Sequence, residues 1–176
     1  MTTIIVDTIN DALSESAPEI APVRADEQLD WSALERWLRP RLPVGHEPMT
    51  VAQFPGGSAN LTYLVRFGTQ EFVVRRPPLG PVAPGAHDMR REFRVLSRLH
   101  TPFDRAPRAW LLCEDETVVG AVFLVIERRT GIVVRDAFPS ALRTHAGIAR
   151  RTSFAVVDAM ADLHNVDPRA CDLADL

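Results

Sequence analysis

The chain has 176 residues, 46% of them hydrophobic and 24% charged, enough for one ordinary domain with a real core. A net charge of −3 argues against a dedicated nucleic-acid binder, and no run approaches the ~18 apolar residues of a membrane span. The N-terminus lacks the basic start and apolar stretch of a secretory signal, and Cys113 and Cys171 lack metal-ligand spacing, so the cytoplasm is the default compartment.

Residues 1–28 are rich in Ala, Ser, Pro and acids and read as a flexible arm. Asp30 is a good N-cap for a helix through Arg39, with Trp31, Leu34, Trp37 and Leu38 as its apolar face and Pro40 and Pro43 as its stop. Thr50 to Phe54 is a short strand candidate, followed by a turn from Pro55 to Asn60. Leu61, Tyr63, Val65 and Phe67 then alternate with Thr62, Leu64 and Arg66, the period of a strand. A turn at Gly68-Thr69-Gln70 leads into a third strand over Phe72 to Arg76. Two tight turns in succession imply an antiparallel meander. Four prolines and two glycines between Pro77 and Gly85 demand a loop.

The stretch from Met89 to His100 is helical in pattern. At ~100° per residue, Met89, Phe93, Val95, Leu96 and Leu99 share one sector, and Arg90, Arg91, Arg94 and Arg98 face away. Glu92 is the one charge inside the apolar sector. A carboxylate facing a core needs a cation, and Arg75 stands seventeen positions upstream at the end of the third strand. The other reading is a tilted helix with Glu92 at the solvent edge. Arg76, next to Arg75, points to the opposite strand face and reads as solvated; a slip of one residue in register exchanges the two roles.

Trp110 to Cys113 and Val118 to Glu127 read as two further strands, and Ile132-Val133-Val134 as a short extended piece. Leu142, Ala146, Ala149, Ser153, Val156, Met160 and Leu163 recur at steps of four and three, one long amphipathic helix stopped by Asp167-Pro168. The expected fold is α+β: an antiparallel sheet of about five strands with a Glu-bearing helix against it, plus a long C-terminal helix.

Four segments carry a resemblance. They are Phe54-Pro-Gly-Gly-Ser-Ala-Asn-Leu-Thr-Tyr63, Phe72-Val-Val-Arg-Arg-Pro-Pro78, His87-Asp-Met-Arg-Arg-Glu92, and Phe123-Leu-Val-Ile-Glu-Arg-Arg-Thr-Gly131. In this order and spacing they resemble the N-terminal small lobe of the protein-kinase-like aminoglycoside phosphotransferase family. The branch they are most similar to includes the kinase-like domain of certain acyl-CoA dehydrogenases. The likeness implies ATP or GTP with Mg²⁺ as cofactor. Gly56, Gly57 and Ser58 would let backbone N–H groups approach phosphate oxygens, and Asn60 would hold the turn; the same turn is also compatible with a plain hairpin. Arg75 aligns with the phosphate-positioning lysine of kinases, with Glu92 as its partner, and departs from that lysine in type. Val73 would touch adenine and Ile126 would line the back of the pocket. The carbonyl of Glu127 would accept from the adenine amine and the N–H of Arg129 would donate to the ring.

The resemblance implies three regions: an arm over 1–28, the small lobe over 29–130, and a hinge exit with the first helix of a large lobe over 131–176. No segment matches the family's His-Gly-Asp-x-x-x-x-Asn motif, and none its later metal-binding motif, so no catalytic or metal-ligating residue is assigned within the chain. The expectation is the front part of a small-molecule phosphotransferase that is inactive alone, binds nucleotide weakly and self-associates through the surface meant for a large lobe. The acceptor is an aminoglycoside or, preferred, a hydroxyacyl-CoA-like metabolite. The alternative is a non-catalytic lobe that binds nucleotide or a partner. Nucleic-acid binding through Arg90, Arg91, Arg94, Arg98, Arg150 and Arg151 is disfavoured by the acidic net charge, and no membrane partner is expected.

Overall fold

Strand β2 (Leu61–Phe67) and strand β3 (Gln70–Arg76) pair antiparallel across the Gly68-Thr69 turn, with Phe67 opposite Gln70 and Leu61 opposite Arg76. Gly68 takes φ 60°, the left-handed geometry such a tight turn requires and glycine supplies without strain. Strand β1 (Met49–Gln53) flanks β2, and β5 (Phe123–Glu127) lies between β3 and β4 (Ala109–Cys113). The order is β1-β2-β3-β5-β4, antiparallel throughout. This computed structural model describes residues 20–55, 59–81, 83, 85–134 and 137–175.

The alternation of β2 and β3 separates two apolar layers. Helix α1 (Trp31–Leu38), capped by the Asp30 carboxylate on the Ala33 amide at 2.8 Å, buries Leu34 and Leu38 against Leu61, Tyr63, Val65, Phe72 and Val74. Trp31 and Trp37 meet Tyr63 and Phe123 edge-on at 5.2 and 5.1 Å. On the opposite face, helix α2 (Met89–Leu99) sets Met89, Phe93 and Leu96 over Val73, Leu124 and Ile126. The fold is α+β, as the sequence predicts, with a helix on each face of the sheet.

Several local readings change. Residues 20–28, placed within the expected arm, are tied to the sheet. Ala21 bridges Gln53, and a 3₁₀ turn over Ala25–Glu27 brings the Glu27 carbonyl to the Tyr63 hydroxyl, which donates at 2.8 Å. The expected strand from Val118 contracts to Phe123–Glu127. Residues 116–120 close instead as a turn, with the Gly120 amide donating to the Glu116 carbonyl at 2.7 Å and Gly120 at φ 82°. Ile132-Val133-Val134 pairs with no strand.

Two compact units are present. The first holds 20–128 together with 168–176; there Arg98 pairs with Asp172 at 2.9 Å, Arg94 pairs with Asp175, and Leu173 is buried. The second includes 129–167. Its helical stretch is interrupted, giving α3 (Ser140–Arg143) and α4 (Ile148–His164), because Gly147 takes a left-handed φ of 70° that ends one helical path and starts the next. On α4, Phe154, Val156, Val157, Met160 and Leu163 are exposed. No helix among the described residues is long and apolar enough to cross a membrane.

Candidate functional site

Strand β3 turns Val73 and Arg75 toward the face covered by α2. That helix begins at Asp88, whose carboxylate accepts from the amides of Arg90 at 2.9 Å and Arg91 at 3.1 Å. The cap fixes the helix rotation, so Glu92, in the first turn, points back to the sheet. Arg75 Nη1 donates to Glu92 Oε1 at 2.9 Å. The Glu92 side chain is 23% exposed, so the inward reading of the helical wheel holds and the solvent-edge reading does not. Burial lifts the Glu92 carboxyl above the ordinary carboxylate value, and the Arg75 charge opposes that rise without cancelling it.

Asn60 holds the same guanidinium from another side. Its amide orientation is assigned from its partners. The oxygen accepts from Arg75 Nη2 at 2.9 Å and Nε at 3.2 Å, and the nitrogen donates to His87 Nδ1 at 2.7 Å. His87 is therefore an acceptor at Nδ1, which leaves its proton on Nε2. His87 itself adopts φ 58°, a left-handed conformation that a non-glycine residue rarely takes. Three of the five guanidinium N–H groups of Arg75 are committed in this way, and the other two have no partner among the described residues.

Arg75, His87, Glu92, Leu96, Pro107 and Ile126 line a cavity of about 510 Å³. Val73 lies opposite Ile126 in the β3–β5 ladder, and both are buried. Glu127 ends β5. Its amide donates to the Arg108 carbonyl at 2.8 Å and its carboxylate accepts from the Arg108 amide at 3.0 Å. The structure thus gathers Asn60, Arg75 and Glu92 into one hydrogen-bonded group, with Val73 on the same strand as Arg75 and Ile126 and Glu127 on the adjacent β5. Arg129 is exposed and falls in the second unit, and Gly56, Gly57 and Ser58 lie outside the described residues.

Sequence reasoning missed the contacts of three residues in and around the site. The role of His87 was hidden because its strained backbone and its Asn60 contact depend on the loop geometry. Arg128 lies over the Phe54 ring, 5.1 Å from its centroid, a contact that no periodicity signals. Arg76, expected in solvent, is 3% exposed and donates to the carbonyls of Pro77 and Val119. The correction is one of covering: alternation gives its face correctly, and the 116–120 turn closes over that face.

The donor set suits an anionic phosphate: a guanidinium fixed on two sides and still holding free N–H groups. The described residues contain no group of three or more His, Cys, Asp or Glu placed to hold a metal.

The chain is 31% identical over 163 residues to acyl-CoA dehydrogenase family member 11 of Gallus gallus, covering 89% of this chain and 20% of that protein. It is 32% identical over 157 residues to family member 10 of Mus musculus, covering 89% of this chain and 14% of the other. The chain therefore spans a fifth or less of these relatives. A crystal structure from Ralstonia eutropha JMP134, which carries a provisional aminoglycoside phosphotransferase name, superimposes with a TM-score of 0.63 at 30% identity, over 84% of this chain and 42% of the other. The sequence model of the phosphotransferase enzyme family matches residues 50–176. With that match spanning most of its length, the chain belongs to the phosphotransferase enzyme family.

Proposed function

We propose that the chain forms the nucleotide-facing part of an ATP- or GTP-dependent phosphotransferase that moves a γ-phosphoryl group to a small-molecule hydroxyl. The observation that carries this reading is the Asn60–Arg75–Glu92 group, whose Arg75 and Glu92 line a cavity together with Ile126. Glu92 and Asn60 hold the Arg75 guanidinium so that its free N–H groups meet phosphate oxygens without reorganisation. Gly56, Gly57 and Ser58, outside the described residues, are assigned to the same phosphates from the resemblance of their segment alone. Val73 and Ile126 form the apolar contact for the base, and the Glu127 carbonyl reads its edge. Mg²⁺ bound with the nucleotide would supply charge neutralisation.

The acceptor we favour is a hydroxyacyl-CoA-like metabolite, since relatives are named acyl-CoA dehydrogenase family members; an aminoglycoside is the alternative suggested by the Ralstonia eutropha structure. The catalytic carboxylate and metal ligands come, in this proposal, from a large lobe in cis or in trans, and the 176 residues alone do not turn over. The missing His-Gly-Asp motif also favours a second reading, a non-catalytic lobe that binds nucleotide or a partner. Mixing with a separately expressed large lobe and assaying ATP hydrolysis separates the two: hydrolysis supports the enzyme, and binding without hydrolysis supports the second reading. A thermal shift with MgATP and MgGTP tests the site itself, with Arg75→Met and Glu92→Gln expected to abolish it.

A further inference from the structure

Arg76 is the last residue of β3, and alternation turns it away from Arg75 to the face of Phe72 and Val74. There it is buried at 3% exposure. Nη1 donates to the Val119 carbonyl at 2.5 Å and Nε to the Pro77 carbonyl at 3.0 Å. Among the described residues, no carboxylate forms an ion pair with it and Nη2 has no hydrogen-bond acceptor. Burial lowers its pKa, with the Tyr63 hydroxyl a smaller opposing influence, but a guanidinium stays protonated in water and in proteins. A buried cation held by carbonyl dipoles alone is an unbalanced charge, and such charges are expensive to keep.

Arg76 sits in the lining of a separate cavity of about 920 Å³, within the size range of ligand pockets. Pro78, Leu79, Met89, Val118 and Val122 supply apolar wall. The other charged groups there are already engaged or lie at the surface. Asp30 caps α1 through the Ala33 amide, Asp88 caps α2, and Arg90 pairs with Glu114 at 2.6 Å. Glu116 is exposed. Asp30, Asp88, Arg90 and Glu116 all keep their charges in solvent, so the buried charge of this lining is the cation of Arg76.

We propose that this cavity is a ligand site distinct from the nucleotide site. It takes a small amphiphilic anion, with one carboxylate or phosphate head on Arg76 and an apolar body against Pro78, Leu79 and Val122. Opposite faces of β3 keep the two sites apart, and the segment carrying Gly85, His87 and Asp88 lines both cavities. The site stands whether or not nucleotide binds at Arg75.

The test uses the intact chain and three probes at millimolar concentration: hexanoate, hexyl phosphate and neutral hexanol. Binding is read from the Arg76 Nε–H resonance and from the thermal midpoint. The expected result is that an alkyl anion shifts both and hexanol shifts neither. Arg76→Gln should weaken the anion by about ten- to hundredfold, the worth of a charge-assisted hydrogen bond. Ala121→Trp, which sets an indole into the cavity from its lining, should abolish the shift. Arg75→Met should leave it unchanged. Whichever of hexanoate and hexyl phosphate binds more tightly names the head group. The proposal is overturned if neither anion moves the Arg76 resonance, if hexanol moves it equally, or if the shift survives in Ala121→Trp.

Discussion

Arg75 and Arg76 are neighbours in the chain and lie on opposite faces of one strand, each in a different chemical setting. Arg75 is fixed by a carboxylate and an amide beside one cavity. Arg76 is fixed by two carbonyls beside another. The pleat of β3 alone produces this division, so substitutions at the two positions separate cleanly.

Arg75→Met leaves the half-buried Glu92 without its cation. The loss expected in urea denaturation is about 1–3 kcal/mol. Arg75→Lys keeps the charge but lacks the fork that reaches Glu92 and Asn60 together, so it should recover part of the stability and less of any nucleotide response.

Glu92 gives a signature in pH. Its folded pKa lies above the unfolded one because burial outweighs Arg75. The folded state therefore holds this proton more tightly, and the stability it contributes is present below the unfolded pKa and lost as pH rises through the folded one. Subtracting the stability profile of Glu92→Gln from that of wild type should leave a segment that falls with rising pH from about 4 and flattens once pH has passed the raised folded pKa. A difference that rises with pH over that interval would show that Arg75 outweighs burial.

His87 tests the strained loop. Both His87→Ala and His87→Gly remove the contact with Asn60, but only glycine accepts φ 58° without cost. The glycine variant should be more stable than the alanine variant by about 1 kcal/mol in chemical denaturation.

The exposed apolar side chains of α4 predict self-association of the chain. Light scattering over a concentration series should show mass rising above the monomer, and Val157→Asp with Met160→Asp should return it to the monomer. A wild-type chain that stays monomeric at high concentration contradicts this.

Much of this was legible from local chemistry. The period of two in β2, the Asp30 and Asp88 caps and the solitary Glu92 on an apolar sector each report a strong local preference. What was not legible depended on distant chain segments. Alternation tells which face Arg76 takes, but its cover comes from Val119, forty-three residues away. The apolar run from Val118 to Val122 looks like the start of a strand, and Gly120 at φ 82° closes it into a turn. The apolar steps from Leu142 to Leu163 continue through Gly147, so the pattern could not show the left-handed residue that divides the helices. Asn60 read as a turn residue; its grip on Arg75 exists only once β2 and β3 pair.

The most direct test of the central claim is titration calorimetry of MgATP into wild type and Arg75→Met, with each variant's fold checked by circular dichroism. The account predicts measurable, weak binding to wild type and none to a folded Arg75→Met. Equal binding to both would contradict it, because the guanidinium held by Glu92 and Asn60 would then have no part in holding phosphate.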